Sequence, residues 1–197
     1  MSRRLFLYLH GHGSSPAEVD GVIGAIDPER GYIAVTPEGP LAVSAAGRAW
    51  FEGDSRGTDP ASLERAVEWV SNVLVGCTTD LGIDMEDVVL GGFSQGAATA
   101  LAVAAFYDIE LGGLLLQAPF VPDGADLDVD LASIRARDVL IQHGSLDDVV
   151  PPFFVEHVAA SLTATRGDVQ RQTFEAGHER TVEMLDAACA WMRGRIS

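Results

Sequence analysis

Short apolar runs alternate with longer stretches of helical periodicity along the chain, and this alternation is typical of an α/β protein. Helical patterns follow most of the apolar runs, which favours a mainly parallel sheet with helices on both faces. The six predicted strands are Leu5–Leu9, Tyr32–Thr36, a run from Val88, Leu114–Gln117, Val139–Gln142 and Val169–Phe174. The helices are predicted over Ala17–Ile26, from Asp59-Pro60, over Gln95–Tyr107, from Pro151-Pro152, and over Glu179–Met192.

The run from Val88 leads into Gly92-Phe93-Ser94-Gln95-Gly96, and an alanine-rich helical segment follows it. This G-x-S-x-G pattern predicts a sharp turn from strand to helix, with the serine strained and its hydroxyl above the strand ends. Glycine is needed at both flanking positions, because side chains there would collide where the helix folds back against the strand. An incidental serine in a glycine-rich turn is the alternative, but the strand and helix on either side favour a nucleophile.

A serine nucleophile needs a general base to remove its proton and a carboxylate to orient that base. Asp147 follows the fifth predicted strand and His178 follows the sixth. Because the carboxyl ends of parallel strands lie at the same edge of a sheet, both side chains are expected beside Ser94.

A tetrahedral oxyanion must be met by two preplaced donors. The backbone N–H of Gln95, at the start of the helix after the serine, is one candidate. The second is the backbone N–H of His12, which lies in a glycine-flanked turn directly after the first strand. The sequence therefore predicts an oxyanion hole formed by Gln95 and His12.

Other chemistry-bearing residues have weaker patterns. His157 lies within a helix, where a surface or packing role is expected, and His143 is expected to bond the backbone in its turn. His10 and His12 suggest a metal pair, but no carboxylate or cysteine lies nearby in sequence. Asp126–Asp130 imitates an EF-hand loop without its glycine and final glutamate, so neither calcium nor another metal is predicted.

Composition limits the remaining classes of function. A length of 197 residues with 47% apolar and 21% charged residues predicts a single globular domain over residues 1–197, with no stable membrane insertion. Twenty-nine acids against 13 bases give a net charge of -16, which argues against binding nucleic acid or an anionic membrane. Leu5–Leu9 is too short for a secretory core, and Cys77 and Cys189 predict reduced thiols, so a cytoplasmic location is expected. A cysteine nucleophile is a remote alternative.

The motifs together resemble the phospholipase/carboxylesterase branch of the α/β-hydrolases, which includes the acyl-protein thioesterases. The resemblance rests on Leu9–Gly13, Gly91–Ala97, His143-Gly144 with Asp147 and Val149-Val150-Pro151, and Gly177-His178. It implies a compact α/β-hydrolase fold and a serine esterase without a cofactor. The implied roles are Ser94 as nucleophile, His178 as base, Asp147 as orienting acid and His12 with Gln95 as oxyanion donors. It also places Trp50 and Phe51 beside the acyl pocket, and its His-Gly-x-x-Asp register favours Asp147 over Asp148.

The resemblance implies a carboxylesterase that hydrolyses uncharged small-molecule esters of short or medium chain through an acyl-enzyme. His12 replaces an apolar residue of the family, which predicts a more polar entrance. Residues 119–137 are either a partial lid or a crossover. An acyl-thioesterase or lysophospholipase with the same triad is the close alternative, and a ligand-binding protein of this fold without turnover is the distant one. A homodimer is left open.

Overall fold

The computed structural model describes residues 3–107, 109–123, 128–165 and 168–195. Strands and helices alternate along much of the chain, as the apolar pattern predicts. The strands of these residues are β1 Leu5–Leu9, β2 Ile33–Val35, β3 Leu41–Ala42, β4 Arg48–Ala49, β5 Gly53–Asp54, β6 Gly57–Thr58, β7 Val88–Phe93, β8 Glu110–Gln117, β9 Arg135–Gly144 and β10 Val169–Phe174. The helices are α1 Pro16–Ile26, α2 Pro60–Leu81, α3 Gln95–Phe106, α4 Pro152–Thr165 and α5 Val182–Arg193, with short 3₁₀ turns at Met85–Asp87 and Leu131–Ser133.

Six of the strands form one sheet in the order β10-β9-β8-β7-β1-β2. Every neighbouring pair is parallel, so the predicted parallel sheet is confirmed. Side chains of β1 alternate between two buried layers, as a strand covered on both faces requires. Leu5, Leu7 and Leu9 pack with α2, α3 and α4, whereas Phe6 and Tyr8 pack with α1 and α5.

The long connection between β2 and α2 is not a simple loop. It contains two small hairpins, β3 with β4 and β5 with β6. Asp59 then begins α2 as the sequence predicts, because its carboxylate accepts a hydrogen bond from the Ser62 N–H at 2.8 Å. The helix ends at Gly82, whose φ of 63° is readily available to glycine.

The last helix begins later than predicted. The sequence predicts a start at Glu179, but α5 starts at Val182 because Thr181 is its N-cap, with the Thr181 hydroxyl accepting from the Met184 N–H at 3.3 Å. His178 therefore lies in an irregular connection between β10 and α5 rather than at a helix end.

The predicted lid or crossover at 119–137 lies partly outside the described residues, because 124–127 are not among them. The same gap contains the start of the EF-hand-like segment. In the described part, Leu131 and Ile134 are buried against the core. No helix in the described part of the chain is long and apolar enough to cross a membrane.

Candidate active site

Ser94 occupies the turn between β7 and α3 with a φ of 54° and a ψ of -120°. A positive φ is strained for serine, and here the Ser94 N–H is fixed by the carbonyl of Gln117 at 2.9 Å. The two flanking glycines cannot be replaced by a residue with a Cβ without moving the backbone. A Cβ on Gly96 would lie 2.2 Å from the Leu9 carbonyl oxygen, and one on Gly92 would lie 2.6 Å from the carbonyl carbon of Gly96.

The sheet brings Ser94, His178 and Asp147 together, as the sequence predicts. The Ser94 Oγ lies 2.9 Å from His178 Nε2, and His178 Nδ1 lies 2.7 Å from Asp147 Oδ2. An ionised carboxylate can only accept, so His178 Nδ1 carries the hydrogen and Nε2 is left as an acceptor for the serine hydroxyl. The arrangement can therefore withdraw the serine proton.

Asp147 is fully buried and held on both of its oxygens. Its Oδ1 accepts from the Val149 N–H at 3.0 Å and the Val150 N–H at 2.8 Å, which leaves Oδ2 for His178. The loop itself is tied to the β10 side, since the Leu146 N–H donates to the Ala176 carbonyl at 2.9 Å. These contacts fix the carboxylate before any substrate binds.

A cavity of about 620 Å³ adjoins Ser94. His12 and Gln95, the two predicted oxyanion donors, both line it, and exposed Asp148 lies at its edge. The rest of the cavity lining is apolar in one part and mainly polar in another. The apolar residues are Phe120, Val149 and Val150, and the β5–β6 hairpin contributes Gly53, Asp54, Ser55 and Arg56. The hairpin was missed at the sequence level, where its only signal was a pair of glycines around three polar residues.

Trp50 and Phe51 are buried and do not line this cavity, in contrast to the position that the resemblance implied. The side chain of Gln95 explains this placement. Its Oε1 accepts from the Trp50 N–H at 2.9 Å and its Nε2 donates to the Phe51 carbonyl at 2.8 Å. The Trp50 indole then donates to the His10 carbonyl at 2.7 Å, so the pair supports the loop that carries His12. This anchoring role of Gln95 was not foreseen.

The other histidines have other surroundings. His10 Nε2 accepts from the Gly39 N–H at 3.0 Å, and its Nδ1 lies 2.8 Å from the Gly11 carbonyl, so both ring nitrogens are occupied. Burial lowers the pKa of His10, which keeps the ring neutral. His157 is exposed, as expected. Among the described residues, no cluster of three or more histidine, cysteine, aspartate or glutamate side chains could hold a metal ion.

His143 differs from its expected role. Neither ring nitrogen has a hydrogen-bond partner among the described residues, so the predicted backbone bond is wrong. The ring is buried, with Nδ1 3.9 Å from Asp147 Oδ2, and burial lowers its pKa. The reason is that His143 lies within β9, paired with β10, rather than in a turn, and the backbone groups of the loop that follows bond each other and Asp147.

The cysteines lie away from this cavity. Cys77 and Cys189 are both free and neither lines it. Burial, followed by the charge of Asp80, raises the pKa of the Cys77 thiol, which disfavours the reactive thiolate.

The parallel sheet with a strained serine between strand and helix defines an α/β-hydrolase fold. The fold matches Arabidopsis thaliana SOBER1 with a TM-score of 0.80 at 22% identity, covering 100% of both chains. It matches a carboxylesterase from Mesorhizobium loti with a TM-score of 0.83 at 22% identity, covering 98% of this chain and 90% of that one.

The sequence comparisons identify the family within this fold. The chain belongs to the phospholipase/carboxylesterase family, whose sequence profile matches residues 2–194. It is 31% identical to acyl-protein thioesterase 1 of Gibberella zeae over 179 residues, covering 81% of this chain and 74% of that protein. The predicted resemblance is therefore confirmed at the level of the family.

Proposed function

We propose that this protein is a serine hydrolase that cleaves uncharged carboxylic esters of short or medium acyl chain through an acyl-enzyme. The observation that carries the proposal is the continuous contact from Ser94 Oγ to His178 Nε2 at 2.9 Å and from His178 Nδ1 to Asp147 Oδ2 at 2.7 Å. Membership of the phospholipase/carboxylesterase family supports the same class of reaction.

In the first half-reaction the Ser94 Oγ attacks the ester carbonyl while His178 Nε2 takes the serine proton. The carbonyl oxygen becomes an oxyanion that accepts from the backbone N–H groups of Gln95 and His12. The carbon–oxygen bond to the alcohol then breaks, and His178 gives its proton to the departing alkoxide. The products are a free alcohol and an acyl ester on Ser94, with Asp147 ionised throughout.

In the second half-reaction water replaces the alcohol. His178 takes a proton from the water as its oxygen attacks the acyl carbon, and the same donors stabilise the second oxyanion. When this intermediate collapses, the bond between acyl carbon and Ser94 Oγ breaks and His178 returns its proton to the serine. The carboxylic acid leaves and the enzyme is restored.

The position of the cavity supports a proposal for where the two parts of the ester bind. The leaving group must lie beside His178 Nε2 to receive its proton, but His178 does not line the cavity. The cavity therefore accommodates the acyl part. Asp54 and Asp148 border it, and Arg56 lies 3.8 Å from Asp54, so an anionic acyl group finds no unopposed cation there. An uncharged acyl chain fits this lining.

A thioesterase activity is the second candidate, because the Gibberella zeae relative is named an acyl-protein thioesterase. The same residues serve both reactions. A thiolate is a better leaving group than an alkoxide, since thiols are more acidic than alcohols, so a thioester depends less on protonation by His178.

Turnover across p-nitrophenyl esters of increasing chain length, beside S-acyl thioesters of the same acyl groups, tests the proposal. We expect kcat/KM to be highest for a short or medium chain, and the Ser94→Ala variant to be inactive on both series. Failure to hydrolyse any ester or thioester would overturn the proposed activity. Hydrolysis of thioesters alone would make the second candidate the activity.

A single domain over 1–197 and a cytoplasmic location are part of the same proposal, and whether the protein forms a homodimer is left open. The oligomeric state is measured by sedimentation of the purified protein.

A further inference from the structure

Arg180 contacts the aromatic ring that lies against His178. Its guanidinium carbon is 4.5 Å from the centroid of the Phe93 ring. That ring centroid is in turn 4.7 Å from the centroid of the His178 imidazole, with the two planes at 38°. Cation–π and ring-stacking contacts at these distances are attractive, so Phe93 is held by the arginine and in turn restrains the imidazole.

Arg180 also reaches the nucleophile from the other direction. Its Nη1 donates to the Tyr8 hydroxyl at 3.4 Å, and that hydroxyl donates to Gln117 Oε1 at 2.6 Å. The backbone carbonyl of the same Gln117 accepts from the Ser94 N–H at 2.9 Å. Tyr8 and Gln117 are both buried, so this route runs through the interior of the molecule.

Residues His178, Phe93, Arg180, Tyr8, Gln117 and Ser94 therefore form a closed circuit, which we name the Arg180 circuit. We propose that Arg180 is a positioning residue for the base His178, acting through Phe93, while its contact with Tyr8 holds the guanidinium in place. The inference rests on the proposed function, because it assigns a role within that reaction.

The base needs such support because of where it lies. The side chain of His178 is 18% exposed whereas that of Asp147 is fully buried, and His178 belongs to an irregular connection. Asp147 restrains the ring only at Nδ1. The Phe93 contact supplies a second restraint on the ring itself, and Arg180 lies only two residues along the same connection.

The contacts of Arg180 favour a role in positioning His178 over an electrostatic effect of its charge. Among the described residues its side chain contacts a ring and a hydroxyl rather than a carboxylate. A cation opposes any positive charge that develops near it during acylation, so a purely electrostatic effect of its removal would raise the rate. A positioning role predicts the opposite sign.

The test replaces Arg180 by glutamine and by lysine and measures kcat and KM on the best p-nitrophenyl ester. For Arg180→Gln we expect kcat to fall about 10- to 100-fold, because small displacements of a catalytic group have effects of this size. KM should stay within about twofold, since Arg180 does not line the cavity. Arg180→Lys should recover part of the rate, because a cation still lies over the ring but without the planar fork.

Arg193→Gln is the matched control. Arg193 is an exposed arginine in the last turn of α5 and pairs with Glu29 at 2.9 Å. Its removal should leave kcat near that of the wild type. If Arg180→Gln lowers the melting temperature strongly, Phe93→Leu provides the second variant, since it removes the ring and keeps an apolar side chain. It should reproduce the loss in kcat.

A double-mutant cycle with His178→Ala separates positioning from general stabilisation. If Arg180 acts through His178, Arg180→Gln should cause no further loss of kcat in the His178→Ala background. An additive loss there, or a wild-type rate in Arg180→Gln alone, overturns the inference and leaves the proposed function standing. A wild-type protein inactive toward every ester would overturn both.

Discussion

Replacement of Asp147 by asparagine tests the relay at the position where the structure constrains it most. Two backbone N–H groups, from Val149 and Val150, donate to one carboxylate oxygen at 3.0 and 2.8 Å, and His178 Nδ1 contacts the other at 2.7 Å. An asparagine must keep its single oxygen toward the two backbone donors. Its amide group then points its hydrogens at His178 Nδ1.

This reversal forces the wrong tautomer on the imidazole. Nδ1 becomes the acceptor, the ring hydrogen moves to Nε2, and Nε2 can no longer accept the proton of Ser94. The same substitution in a serine protease costs about 10⁴ in kcat, which corresponds to about 5.4 kcal/mol of barrier. We expect a loss of at least about a hundredfold for Asp147→Asn, with the fold retained.

Asp148→Asn is the control, because it makes the same chemical change one residue along the loop. Asp148 is exposed at the edge of the cavity, and His178 contacts Asp147 instead. Its variant should stay within a few-fold of the wild type. Steady-state kinetics on a p-nitrophenyl ester and the melting temperature of each variant make the comparison. A large loss in Asp148→Asn with a small one in Asp147→Asn would refute the reasoning.

Three further predictions follow from the same geometry. Ser94→Ala should lower kcat by about 10⁶ without loss of fold, and a variant that keeps a tenth of the wild-type rate would contradict the assignment. Gly96→Ala should destabilise the protein by at least about 1–3 kcal/mol in urea unfolding, because its Cβ would lie 2.2 Å from the Leu9 carbonyl oxygen; an unchanged midpoint would argue against the turn. Burial lowers the pKa of His143, so the unfolded chain takes up that proton first and stability falls as pH drops below about 6.5, by up to about 1.4 kcal/mol per pH unit. His143→Gln should make this fall shallower, and an equal slope would exclude a contribution from His143.

The sheet and the placement of Ser94, Asp147 and His178 could be predicted because each depends on local pattern. Apolar runs of strand length defined most of the six strands, and the glycines around Ser94 specify the turn whatever lies elsewhere in the chain. The rule that carboxyl ends of parallel strands share one edge then placed the two partners. The segments that carry Ser94, Asp147 and His178 could therefore be placed together without any other information about long-range contacts.

The rest of the site depends on contacts between residues far apart in sequence. Arg180 and Tyr8 are separated by 172 positions, and Gln95 bonds Trp50 across 45. No periodicity encodes such pairs, so the Arg180 circuit and the buried position of Trp50 could not be inferred. The β5–β6 hairpin is similar, because its two-residue strands are too short to leave an apolar pattern.

The start of α5 shows how one cap decides between neighbouring positions. Glu179 and Thr181 both precede a helical pattern. The helix begins after the residue whose side-chain oxygen accepts from a free backbone N–H group in the first turn. Thr181 makes that bond to Met184, and His178 is thereby left outside the helix. The cap thus affects the site directly, because it leaves the imidazole of His178 on an irregular connection instead of beside a helix.

The proposed reaction depends above all on covalent acylation of Ser94. A fluorophosphonate probe reacts with an activated serine, and digestion followed by mass spectrometry of the labelled protein locates the modified residue. We expect stoichiometric label on the peptide that carries Ser94, none in Ser94→Ala, and much slower labelling in Asp147→Asn. Unlabelled wild-type protein would indicate a ligand-binding protein without turnover, and label on another residue, or equal labelling of Ser94→Ala, would contradict the assignment of the nucleophile.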